Sequence, residues 1–193
     1  MKNNKIIYKN NIQKKYLSPK LNQKLNNKYF NILKNIIFNL DNKENTLYSL
    51  SKKFNFNFKF KNLNKFKKFK TVVIIGMGGS ILGSEALYYI LKEKIKKDFI
   101  FFDDIDKNKL KKLKQKNDFK KILFIVISKS GRTIETLSNS FALKIIKKDA
   151  KNIIIISEKK DNSLYLLSQK MRIHHIEHRK SIGIELAKEN DVD

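Results

Sequence analysis

"TVVIIGMGGSILGSEA", Thr71 to Ala86, decides how the chain is read. Thr71 to Ile75 is a run of β-branched residues, which suits a strand buried on both faces. Gly76, Gly78 and Gly79 then end the strand in a tight turn. "SILGSEALYYILKE" (80–93) reads as the helix that follows. The unit is strand, glycine turn, helix.

Working outward, the same alternation repeats. "DFIFF" (98–102) is a second strand and "KNKLKKLKQK" (107–116) a polar helix. "KILFIVIS" (121–128) is a third strand. "TIETLSNSFALKIIKK" (133–148) is a helix with Leu137, Phe141 and Ile145 stacked four apart. "KNIIIIS" (151–157), "NSLYLLSQK" (162–170) and "RIHHI" (172–176) continue as strand, helix and strand. Strands that are apolar throughout and alternate with helices form a parallel sheet covered on both faces. The expected fold is α/β, a doubly wound parallel sheet in three αβα layers of the flavodoxin-like kind. Before it, "YLSPKLNQKLNNKYFNILKNIIFNL" spaces Leu21, Leu25, Tyr29, Ile32, Ile36 and Leu40 as an amphipathic helix. Pro19 suits its first turn. "FNFNFKF", Phe54 to Phe60, alternates with the period of a strand, the alternative being an extended lead-in with lysines on one side. The expected division is a lead-in over 1–69, an α/β domain over 70–183, and a divergent acidic tail over 184–193.

Composition narrows the class. The 193 residues include no cysteine, which excludes disulfides and thiolate metal sites. No apolar run approaches the ~20 residues of a membrane span, and no signal-type segment opens the chain, so a cytoplasmic protein is expected. The formal charge is +25, nearly all of it from lysine; arginine occurs only at 132, 172 and 179. Lysine and asparagine recur along the whole chain. That is a composition bias rather than a placed patch, and no specific nucleic-acid or membrane partner is expected from it.

Two turns leave the same edge of the expected sheet, beyond the strand C-termini where such folds bind ligands. The first is "GMGGS", Gly76 to Ser80. The second is "SKSGRT", Ser128 to Thr133. Gly79 and Ser80 in one, and Ser128, Lys129, Ser130 and Thr133 in the other, offer amides, hydroxyls and a charge at helix starts. That is the chemistry of an anion site. The bland alternative is a pair of ordinary helix caps. A dinucleotide fingerprint also competes: its third glycine belongs at 81, which is Ile81, whereas Asp103 stands where a ribose-binding acid would. No Gly-Lys-Ser/Thr follows the glycines, which excludes a P-loop. His174, His175 and His178 cluster, but adjacent residues of a strand face opposite ways. Glu135 suits the dipole of a helix start.

"VVIIGMGGSILGSEAL" and "VISKSGRTIETL" resemble the two phosphate-binding segments of the glucose-6-phosphate isomerase family, in order and in separation. The resemblance runs from about residue 70 to Gly183. It implies a sugar-isomerase domain, a family homodimer, and interconversion of glucose 6-phosphate and fructose 6-phosphate through an enediol, with neither metal nor nucleotide as cofactor. It implies that Gly79 and Ser80 help to hold the substrate and that Ser128, Lys129, Ser130 and Thr133 surround its phosphate. The family's next segment reads Ser-Ile-Gly-Gly-Arg. This chain reads "SIGIELAKENDVD" and departs at Ile184. The arginine, glutamate base, ring-opening histidine and lysine of the family have no counterpart here, so none of these residues is assigned a catalytic role. The expectation is a truncated or frameshifted isomerase that keeps the phosphate site and lacks independent turnover. A non-enzymatic, regulatory sugar-phosphate-binding domain is the alternative.

Overall fold

The structure, a computed structural model, describes residues 18–43, 46–116 and 118–178. The expectations on the acidic tail, Gly183 and Ile184 lie outside the described residues. The chain divides into two units between Phe54 and Asn55.

In the first unit, α1 spans Pro19–Asn39. Ser18 caps it, its hydroxyl accepting from Leu21 N at 3.3 Å, and Pro19 occupies the first turn as expected. The apolar stripe read from the sequence is present but uncovered. Leu21, Leu25, Tyr29 and Ile32 are all exposed, and the helix buries no residue.

The second unit holds a parallel sheet. Its strands are β1 (Thr71–Ile75), β2 (Asp98–Phe102), β3 (Ile122–Ile127), β4 (Ile153–Ser157) and β5 (His174–Glu177). Their order is β2-β1-β3-β4-β5, and every pairing is parallel. The helices are α2 (Leu82–Leu91), α3 (Lys107–Lys116), α4 (Ile134–Ala142) and α5 (Ser163–Lys170). The strand alternation sorts the core into two sides. Val73, Ile75, Phe102, Phe124, Val126, Ile153 and Ile155 pack with Leu110 and Leu113 of α3 and Leu164 of α5. Val72, Ile74, Phe101, Leu123 and Ile154 pack with Ile81, Tyr88 of α2, Phe66 and Phe69. The three-layer α/β architecture is therefore the one expected. Phe66 and Phe69, which the sequence places in the lead-in, belong to the core of this unit.

Two expected elements differ. Phe54 to Phe60 form no strand. The rings of Phe56, Phe58 and Phe60 instead contact one another with centroids 5.2–5.6 Å apart, and a 3₁₀ helix runs over Phe60–Phe66. A strand needs a ladder partner. Here the tie to β5 is a side chain, Asn57 Nδ2 donating to Glu177 O at 2.7 Å. The helix expected over 133–148 ends at Ala142. Lys144 takes φ +53°, its amide returns to Phe141 O at 2.8 Å, and Ile145 N reaches Ser140 O at 3.4 Å. This is a left-handed helix stop. Ile145 reaches the core from beyond it, while Phe141 is exposed.

Candidate functional site

β1 and β3 are neighbours in register, Ile75 opposite Val126. Their C-terminal ends lie side by side, and so do the roots of the two turns. A Cβ on Gly76 would stand 3.0 Å from Ile127 O and 3.4 Å from Ser80 Cβ. Gly76 is therefore what lets the first turn lie against the end of β3. Gly78 has φ +49°, a left-handed conformation that glycine adopts freely.

The first turn closes as a 3₁₀ turn over Gly78–Ser80. Ser80 N donates to Met77 O at 3.0 Å and Ile81 N to Gly78 O at 3.1 Å. The helix expected to begin at Ser80 begins instead at Leu82, and the Ser80 amide is spent within the turn. Among the described residues, the amides of Gly78 and Gly79 make no hydrogen bond. Both glycines are exposed and Ser80 is half-buried.

The second turn is built around Ser128, which is only 2% exposed. Its hydroxyl accepts from Gly131 N at 3.1 Å and lies 2.8 Å from Thr133 Oγ1. Either hydroxyl of this pair can donate to the other, and Thr133 is half-exposed where Ser128 is not. Ser130 is exposed, and its hydroxyl accepts from Arg132 N at 3.3 Å. Lys129 is half-buried, and its carbonyl accepts from Glu158 N at 3.0 Å.

Neither helix that follows a turn is capped by a side chain. Ile81 before α2 offers none, and Thr133 before α4 engages Ser128 instead. The other helices are capped. Ser18 caps α1, Asn162 caps α5, and Asp106 Oδ1 accepts from Asn108 N and Lys109 N at the start of α3. The reading of Ser80 and Thr133 as ordinary caps therefore does not hold. The amides at these two helix starts remain available to a ligand acceptor.

The loop after β4 braces the second turn, a feature that the sequence did not signal beyond a turn-forming Asp-Asn-Ser. Gly131 has φ +65°, and a Cβ there would lie 1.8 Å from Asn162 Oδ1. Leu164 N donates to Gly131 O at 3.1 Å, and Arg132 Nη2 donates to Asp161 O at 2.6 Å. Asn162 caps α5 through Tyr165 N at 2.9 Å and donates to Glu158 O at 2.9 Å.

Lysines engage two of the carboxylates near the turns. The Glu158 carboxylate is buried and bonded to Lys160 Nζ at 2.7 Å. That bond, assisted by the charges of Lys160 and Lys129, holds it below the usual glutamate range despite burial. Asp103 is engaged by Lys109 at 3.2 Å. Glu85 and Glu135 sit in the first turns of α2 and α4, in keeping with the dipole role. His174 and His175 face opposite sides of the sheet, one against Phe66 and the other against Tyr165. Among the described residues no cluster suits a metal ion. No described helix is long and apolar enough to cross a membrane.

The comparisons fit this geometry. The sequence profile of the family described as phosphoglucose isomerase matches residues 24–170, most of the chain. The glucose-6-phosphate isomerase of Methanocaldococcus jannaschii is 41% identical over 86 residues, covering 43% of this chain and 21% of that protein. That of Borrelia garinii subsp. bavariensis is 34% identical over 164 residues, covering 74% of this chain and 30% of that protein. The chain thus spans less than a third of the length of either relative. Among solved structures, a hypothetical protein of Thermus thermophilus superposes with TM-score 0.54 at 24% identity, over 64% of this chain and 30% of the other. A glucose-6-phosphate isomerase of Chlamydia trachomatis does so with TM-score 0.52 at 24% identity, over 62% and 24%. At that identity the superpositions speak for the fold. The profile match carries the family: the chain belongs to the phosphoglucose isomerase family.

Proposed function

We propose that the chain carries the phosphate-binding part of a glucose-6-phosphate isomerase and binds glucose 6-phosphate and fructose 6-phosphate through its two glycine-bearing turns. The observation that carries this reading is the pair of uncapped helix starts beside adjacent strand ends. Gly79 and Ser80 approach the sugar phosphate from one turn. Ser130 and Thr133 donate hydroxyls from the other, and Lys129 supplies charge. Ser128 acts as a positioning residue that orients Thr133. Phosphate oxygens then replace the missing cap acceptors.

Isomerisation needs a base within hydrogen-bond reach of the sugar carbon. Glu158 is held ionised by Lys160 and is a weak base. Glu85 and Glu135 serve the helix dipoles. The chain on its own is accordingly a binder without turnover, and an enediol mechanism belongs to the longer family enzyme. Isothermal titration with fructose 6-phosphate tests the reading. Saturable heat that fructose itself does not produce supports it, and no heat from either sugar overturns it.

A further inference from the structure

The end of the sheet opposite the two turns has its own cavity, of about 480 Å³, between the segment before β1 and the starts of β4 and β5. Lys65, Lys68, Lys151, Arg172, Asp149 and His174 line it. Asp149 is the one carboxylate among the lining residues, and Arg172 Nη2 holds it at 2.7 Å. Among the described residues, Lys65, Lys68 and Lys151 have no carboxylate partner. Lys65 lies over the Phe66 ring and Lys68 over the Phe69 ring, which orient the ammoniums without neutralising them. Lys65 Nζ also stands 3.5 Å from His174 Nδ1. An ammonium has only donors, so Nδ1 is the acceptor and the imidazole hydrogen sits on Nε2. That Nε2 is buried, with no partner among the described residues.

The rim is strained where the charges meet. Asp149 has φ +58° and Arg172 φ +52°. Arg172 stands where a helix stop after α5 ordinarily places glycine: its amide returns to Gln169 O at 3.2 Å and Ile173 N to Ser168 O at 2.9 Å. Like charges brought to one concavity repel unless an anion offsets them. The volume lies within the range of small-molecule sites.

We propose that this cavity binds a small polyanion of the phosphate class, a pyrophosphate or a bisphosphorylated compound, at a site separate from the two turns. The lysines at the lining that have no carboxylate partner among the described residues offer such an anion positive charge.

The test titrates inorganic pyrophosphate into the full chain at constant ionic strength and follows the histidine ring signals by NMR. His175→Gln and His178→Gln variants assign His174. The expected result is a saturable shift of the His174 signal, with affinity reduced about ten-fold or more in Lys151→Ala, the usual effect of losing one charge-assisted contact. Lys151 makes no ion pair or hydrogen bond among the described residues, so that variant keeps its melting temperature. Lys114→Ala, an exposed lysine of α3, and Thr133→Val, in the opposite turn, leave the affinity unchanged. The proposal is overturned by an unsaturable shift, by equal losses in Lys114→Ala, or by loss in Thr133→Val.

Discussion

Gly131 concentrates two constraints in one residue. Its φ of +65° costs any L residue about 1–2 kcal/mol. A Cβ there would also collide with Asn162 Oδ1, which caps α5 through Tyr165 N. Displacing that cap costs about another 1 kcal/mol. Gly131→Ala is therefore expected to lower stability by about 2–3 kcal/mol in urea denaturation. A change below 0.5 kcal/mol would contradict the placement of Asn162. Thr133 answers a different question. Thr133→Val keeps the shape and removes the half-exposed hydroxyl that pairs with Ser128. It should weaken fructose 6-phosphate binding about ten-fold or more while the fold persists, because a hydrogen bond to a charged group contributes about 1.5–3 kcal/mol. Titration calorimetry, with circular dichroism to check folding, measures both. Ser128→Ala removes the acceptor of Gly131 N inside the protein, so it is expected to reduce stability by about 1–3 kcal/mol as well as affinity.

At the scale of elements, the contrast between capped and uncapped helices separates stability from binding. Asp106 caps α3 at the edge beyond β2 and touches neither turn. Asp106→Ala should cost about 1 kcal/mol in thermal or urea unfolding and leave sugar-phosphate affinity unchanged. A loss of affinity there would mean that the helix start, rather than the two turns, contributes to the site. The sequence made β1, β3 and β4 legible because their apolar runs have no other stable placement than a sheet covered on both sides. It made "GMGGS" and "SKSGRT" legible because glycine and hydroxyl residues directly after such runs have few other uses. It misled at "FNFNFKF", since alternation describes a face and not the partner strand that a ladder requires. It misled at the end of α4, where Lys144 takes the left-handed stop that glycine would have announced. The brace from Asn162 and Asp161 was illegible, because contacts about 30 residues apart leave no periodic signal.

For the whole molecule, the histidines of β5 set a pH dependence. Burial pushes the pKa of both His174 and His175 down, and the Lys65 charge adds to the effect at His174. Both folded pKa values lie below the unfolded value of about 6.5, so in that interval the unfolded chain binds more protons. Stability is then full above about pH 6.5 and falls as the pH drops through the folded values. Urea midpoints at pH 7.5 and pH 5 should show the decline, and His175→Gln should flatten it. A midpoint that rises on acidification would contradict the burial of these rings. The two turns together are expected to hold a sugar phosphate. The most direct measurement is calorimetric titration of the purified chain with fructose 6-phosphate, paired with an isomerase assay on the same sample and repeated with Thr133→Val. One saturable, phosphate-dependent site is expected, weakened in the variant, with no conversion to glucose 6-phosphate. Binding indifferent to Thr133, an absence of binding, or sustained turnover by this chain alone would contradict it.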